Sequence, residues 1–210
     1  MNIRRFSVAA ASTAGVAAVL LLTGCSSEDS TAGGQHHDGA AASNSAGATQ
    51  TADVNDADKM FAQMMIPHHK QAVEMSDLML AKEGIDPRVT ELARQIKAAQ
   101  GPEIATMQGW LAQGGVSDDS SGHDMGTHDM SEMEGMLTDA QMNALREATG
   151  VEASRLFLDG MIEHHEGAVD MAEAELKDGA NPEAKALAQQ VITTQNAEIQ
   201  TMRELLSSLK

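Results

Sequence analysis

The sequence predicts an all-α protein, a four-helix bundle made of two copies of one helical hairpin, and three observations carry that expectation. Composition is the first: of 210 residues only 2% are aromatic and none is tyrosine, while the apolar content rests on Ala, Leu and Met, which favour helices over strands. The second is an internal repeat. Phe61-Ala-Gln-Met-Met-Ile-Pro-His-His returns as Phe157-Leu-Asp-Gly-Met-Ile-Glu-His-His, an offset of 96 residues, and Ala72, Val73 and Met75 return as Ala168, Val169 and Met171. After a one-residue slip, Leu92, Gln100, Glu103, Ile104 and Met107 return as Leu187, Gln195, Glu198, Ile199 and Met202. The third is punctuation. Glu83-Gly84-Ile85-Asp86-Pro87 and Asp178-Gly179-Ala180-Asn181-Pro182 both read as the turn of a hairpin. Gly84 and Gly179 suit a left-handed C-terminal cap, Asp86 and Asn181 suit the N-cap, and Pro87 and Pro182 suit the first helical position, where a missing N–H costs nothing.

In chain order, Arg4 and Arg5 precede an uncharged Ala/Val/Leu run over 6–22 that ends in Leu22-Thr23-Gly24-Cys25. Residues 1–24 read as a bacterial lipoprotein signal peptide resembling a lipobox, with Cys25 as the lipidated first residue of the mature chain and its attachment to the membrane. The run is shorter than the roughly 20 residues that a membrane-spanning helix needs. A lone cysteine also excludes an internal disulfide and a Cys-based zinc finger. Residues 25–55 form a tether of Ser, Ala, Gly, Thr, Asn and Asp, too poor in apolar side chains to offset its ordering entropy. Within it Gln35-His36-His37-Asp38 is either a loose metal-gathering spot or a chance pair. Residues 56–210 form the duplicated domain: a first hairpin over 56–113, a His/Met-rich linker over 114–137, and a second hairpin over 138–210. Apolar residues at three- and four-residue spacing, such as Leu92, Ile96, Ala99 and Ile104, Met107, Leu111, give each helix one buried stripe. A short extra helix is expected from Thr138-Asp139 to Glu147, before Gly150. Pro67 predicts a kink beside His68; the second copy has Glu163 there.

Fourteen basic and 31 acidic side chains give a net charge of −17, and removal of 1–24 with its two arginines makes it −19. Such a field repels phosphates, which excludes nucleic acid as a partner, and attracts cations. At about 100° per residue, Met65, His68 and His69 share one turn and about a third of the helix circumference, as do Met161, His164 and His165. A hairpin centred near residue 85 sets position 68 opposite about 102, where Glu103 stands. One centred near 180 sets His164 beside Gln195 and Glu198, with Met202 one turn beyond and near Met161. Met75 and Met171 lie about 10 Å further along the axis, to serve a second ion or simply to pack. Burying four imidazoles in a bundle poor in partners is costly unless something coordinates them or hydrogen-bonds to them. Thioether and imidazole favour copper(I), and silver(I) by analogy. A di-iron site needs Glu-x-x-His, but Met65 and Met161 hold the glutamate position; a zinc-protease His-Glu-x-x-His fails at Val169. The linker repeats His123-Asp-Met125 as His128-Asp-Met130 and adds Met133 and Met136, an acidic, sulfur-rich stretch expected to collect metal. A solvated linker is the alternative. All eight histidines fall into four pairs of this kind.

The Phe/Met/His-His/Met pattern with a downstream Gln-x-x-Glu-Ile-x-x-Met, kept in both copies, resembles the domain-of-unknown-function family numbered 305, which includes the CopM-like copper proteins of bacterial envelopes. The likeness covers about 56–210. It implies a ferritin-like bundle outside the cytoplasm that binds copper, with His68, His69, Glu103 and Met107 and their mates His164, His165, Glu198 and Met202 at the matching positions. One departure is Glu204-Leu205 in the second copy where the first has Gly109-Trp110. The expected function is therefore that of a lipid-anchored binding protein, with no catalytic cycle. It would sequester copper(I), and also copper(II), or hand it to an unidentified trafficking partner. Affinity should fall as pH drops through the ordinary histidine range. The rivals are a ferritin-type metal-dependent oxidase or peroxidase, which would turn over, and a purely structural lipoprotein, whose stability would ignore metals.

Overall fold

The computed structural model describes residues 54–115 and 133–209. The signal peptide, Cys25, the tether with its His36-His37 pair, and His123, Met125, His128 and Met130 of the linker lie outside them. Five helices form in order: α1 Asp56–Leu80, α2 Pro87–Gln113, α3 Asp139–Glu147, α4 Gly150–Asp178 and α5 Pro182–Ser208.

Local chemistry sets their ends. Asn55 and Asp58 make a reciprocal capping box on α1, and Thr138 and Gln141 do the same for α3, the short helix the sequence expects. Asp86 caps α2 through the N–H of Arg88, and Asn181 caps α5 through the N–H groups of Glu183 and Ala184, each followed by proline in the first turn. α1 continues as one helix through Pro67, and α2 through Pro102. The turn glycines divide. Gly84 has φ +72, as the left-handed region allows, but Gly179 ends α4 at φ −68 and ψ 158. The sequence expectation of a left-handed cap at Gly179 is corrected: glycine is needed there because a Cβ would collide with the carboxylate of Glu175.

Each long helix packs chiefly on its hairpin partner, α1 and α4 meet along the centre, and α2 and α5 touch only lightly. α1 and α4 are antiparallel, since Asn55 at the start of α1 donates to the carbonyl of Asp178 and Lys82 beyond its end reaches the carbonyls of Arg146 and Ala148. α2 and α5 are antiparallel as well, with Arg88 bonded to Ser208. An approximate two-fold therefore relates the hairpins. It shows in the core, where Met161 and Met202 share one apolar cluster with Ala72, Met75 and Ile96, and Met65 and Met107 share the other with Ala168, Ala172 and Val191. Among the described residues no helix is long and apolar enough to cross a membrane.

At one end of the bundle the two-fold fails. Buried Asp58 accepts from the backbone N–H groups of Asn55, Ala180 and Asn181 and lies beside buried Glu175; the repeat mates of these two acids are Ser154 and Met79. Burial, then Asp58, pushes the Glu175 carboxyl up to about 7. Burial also works to raise Asp58, but the N–H groups it accepts from hold it below its ordinary value.

Candidate metal centre

His68, His69, His164 and His165 are all fully buried, at 0% exposure, at the level where α1 and α4 cross. The helical spacing of the apolar face demands this, because His68 lies three residues from Met65 and His69 three from Ala72, all of them core residues. The rings of His68 and His164 stand against each other across the two-fold, centroids 3.7 Å apart and planes tilted by 40°. The hairpin register read from the sequence is met. His69 Nε2 bonds to Glu103 Oε2 at 2.9 Å, and His165 Nε2 bonds to Glu198 Oε2 at 2.7 Å. A carboxylate only accepts, so it fixes the proton of each ring on Nε2 and leaves the lone pair of Nδ1 bare.

Six ring nitrogens have no partner of hydrogen-bonding geometry: both of His68, both of His164, and Nδ1 of His69 and of His165. At about 1–3 kcal/mol for each orphaned polar group, such a set would cost a large share of the roughly 5–15 kcal/mol that holds a domain folded. Met65, Met107, Met161 and Met202 are each fully buried in the two clusters that adjoin this level. Among the described residues no three His, Cys, Asp or Glu side chains converge as a coordination set. What the interior offers is neutral nitrogen with sulfur beside it, the donor chemistry of a soft cation.

Electrostatics favour the neutral form of His68, His164 and His165. Burial, reinforced by His69, drives His68 down to about 3, against the opposing influence of the Glu134 backbone. Burial and the neighbouring imidazoles drive His164 well below the ordinary value, and burial lowers His165 despite Glu198. At His68 and His164 burial therefore favours the neutral ring, the form that ligates a metal. Met75 is fully buried in a core cluster with Met79 and Val89, whereas Met171 is half-buried, so the pair is not equivalent.

The hairpins differ around this common centre. Glu103 carries a second bond, from Gln190 Nε2 of α5 at 3.0 Å, and lines a groove of about 610 Å³ between α2 and α5 together with Pro102, Trp110 and Leu187. On the other side, the end of the linker docks on α4. Met133 to Met136 make a tight turn with Gly135 at φ +83, and a Cβ there would stand 2.6 Å from the carbonyl oxygen of Glu163. A Cβ on Gly167 would in turn collide with the carbonyl of Glu134, and Leu137 sits on Gly160. Gln71 of α1 clamps the segment, accepting from the N–H of Leu137 at 2.8 Å and donating to its carbonyl at 2.9 Å. Sequence reasoning missed this docking. The signal for it was present as departures from the repeat, since Gly160 and Gly167 replace Met64 and Gln71 of the first copy.

A family model described as a domain of unknown function, DUF305, matches residues 58–206. No curated protein matches the chain. Among solved structures the chain is similar to a putative secreted DUF305 protein from Streptomyces coelicolor, 34% identical with a TM-score of 0.64, covering 72% of this chain and 91% of that one. A DUF305 fragment from Deinococcus radiodurans is 32% identical with a TM-score of 0.66, covering 74% and 99%. CopM in its Cu(I)-bound form is 30% identical with a TM-score of 0.58, covering 71% and 95%, and in its Cu(II)-bound form 29% identical with a TM-score of 0.61, covering 73% and 97%. With its helical bundle, its duplicated His-His hairpins and this match over most of its length, the chain belongs to the DUF305 family.

Proposed function

We propose that this chain is an extracytoplasmic copper-binding protein, anchored through lipid on Cys25, that sequesters copper or hands it on. Copper(I) is the preferred ion and copper(II) is also accepted. The observation that carries this reading is the set of six buried, unpartnered imidazole nitrogens bordered by four buried thioethers. His68, His69, His164 and His165 supply nitrogen and Met65, Met107, Met161 and Met202 supply sulfur. Glu103 and Glu198 orient the second histidine of each copy and balance the charge of the ion. Solved copper-bound forms of CopM support the assignment from the side of the family. The linker residues His123, Met125, His128 and Met130 gather the ion, and the acidic surface raises its local concentration. In this reading the protein works as a carrier or store and not as an enzyme.

The test is a copper(I) titration of the mature chain carrying Cys25→Ser against a competing chelator, beside a variant with all four hairpin histidines changed to Ala. The parent is expected to hold copper(I) that the variant loses. Equal copper on both would move the site to the linker and sink the hairpin assignment.

A further inference from the structure

Glu103 and Glu198 give the second histidine of each copy a side-chain partner, but the first histidine of each copy, His68 and His164, has none at either nitrogen, and only backbone lies beside them, that of Glu134 at His68 and that of His68 at His164. An imidazole that ligates a metal normally commits its other ring N–H to a polar group, which fixes the ring's orientation. Two buried amides sit about one helical turn from the histidine level. Gln100 and Gln195 are repeat mates, 2% and 3% exposed, and the side-chain oxygen and nitrogen of both lack any partner. Each stands three residues before its glutamate, on the same helix face. Carrying the His69–Glu103 contact one turn along the antiparallel pair sets Gln100 opposite Ala72, and the same step from His165–Glu198 sets Gln195 opposite Ala168. Both alanines are fully buried and end at Cβ, which leaves an amide room to extend along the axis toward the stacked rings. Gln100 also lies one turn beyond Ile96, in the cluster of Met161 and Met202, and Gln195 one turn beyond Val191, in the cluster of Met65 and Met107. The amides thus lie level with the two sulfur layers, about one helical turn from the histidine layer, one from each outer helix.

We infer that Gln100 and Gln195 are positioning residues whose amide oxygens accept the ring N–H groups of His68 and His164 when a soft monovalent cation is bound; this rests on the copper reading above. Charge explains why these positions carry amides and not acids. Glu103 and Glu198 already supply the two negative charges that two monovalent ions would need, and a further buried carboxylate would be uncompensated.

The experiment uses Gln100→Leu, Gln195→Leu and the double variant in the mature Cys25→Ser chain, with Gln→Ile at both positions as a second, sulfur-free pair in case leucine does not fold. Without metal, the variants are expected to melt no lower than the parent, since an unpaired buried amide has been removed. Copper(I) affinity should fall about tenfold per substitution. In the silver(I)-loaded parent, histidine-selective NMR should show slowly exchanging ring N–H protons on His68 and His164 that the double variant loses. Unchanged affinity and unchanged imidazole signals would overturn the inference while leaving the copper reading intact. A parent that binds neither ion would overturn both.

Discussion

The two hairpins descend from one sequence and have diverged by how far each part lies from the histidines. At the centre the copies agree: each places His-His on the inner helix, a glutamate on the outer helix within 3 Å of the second ring, and buried methionines at either side. Away from it they part. Among the described residues, only the second copy carries the glycines that seat the Met133–Leu137 segment, only the first has its glutamate held by a glutamine from the opposite hairpin, and only one end of the bundle holds the Asp58–Glu175 pair. In the copper reading proposed above, duplicated features mark the binding chemistry. Single-copy features mark what joins the hairpins to each other and to the linker.

Swapping residues between the copies breaks this comparison most strongly at Gly167. Replacing it by its mate, Gly167→Gln, pushes a side chain into the Glu134 carbonyl, and urea denaturation should show a loss of about 2–4 kcal/mol. A change below roughly 0.5 kcal/mol, the range of ordinary surface substitutions, would mean that the segment is not held there. The next effect is on pH dependence. The folded-state pKa of Glu175 is raised from 4.5 to about 7, so its contribution is complete below the lower value and is lost as pH rises through the upper one. Asp58 is shifted down, so its contribution is lost instead in acid. His68, His164 and His165, shifted down, work in the opposite direction over the same range, so the Glu175 effect is read as a difference: between pH 5 and 8 the thermal midpoint of the metal-free parent should fall by roughly 5 °C relative to that of Glu175→Met, the residue of the other copy. An equal slope in the variant would remove Glu175 from the account.

Smaller effects sharpen the comparison at the centre. Glu103→Gln and Glu198→Gln should each weaken copper(I) binding by about tenfold, as loss of a partner that orients a ligating histidine does. Equal losses would support two equivalent halves, while a loss confined to one would make the copies functionally distinct. Gln190→Leu removes only the half-buried bond to Glu103 and should cost under about 1 kcal/mol of stability.

Local signals made most of the fold legible in the sequence. The Asp86-Pro87 and Asn181-Pro182 caps, the Thr138 start of α3 and the antiparallel register that brings Glu103 to His69 all follow from residue type and spacing. What escaped depends on segments far apart in the chain. Gly179 reads as a left-handed cap until Glu175 is seen folded against it, and nothing periodic announces that Gly135 and Gly167 touch. The histidine pairs were legible as candidate ligands. The depressed pKa values of His68, His164 and His165 were not, because burial of these rings at one crossing is a property of the assembled bundle.

The most direct measurement is anomalous scattering at the copper edge from crystals of the mature chain loaded with copper(I). The account predicts peaks at the level where α1 and α4 cross, bounded by the rings of His68, His69, His164 and His165 and by the sulfurs of Met65, Met107, Met161 and Met202. Copper found only outside the bundle, with the four rings still stacked and bonded as they are without it, would contradict it.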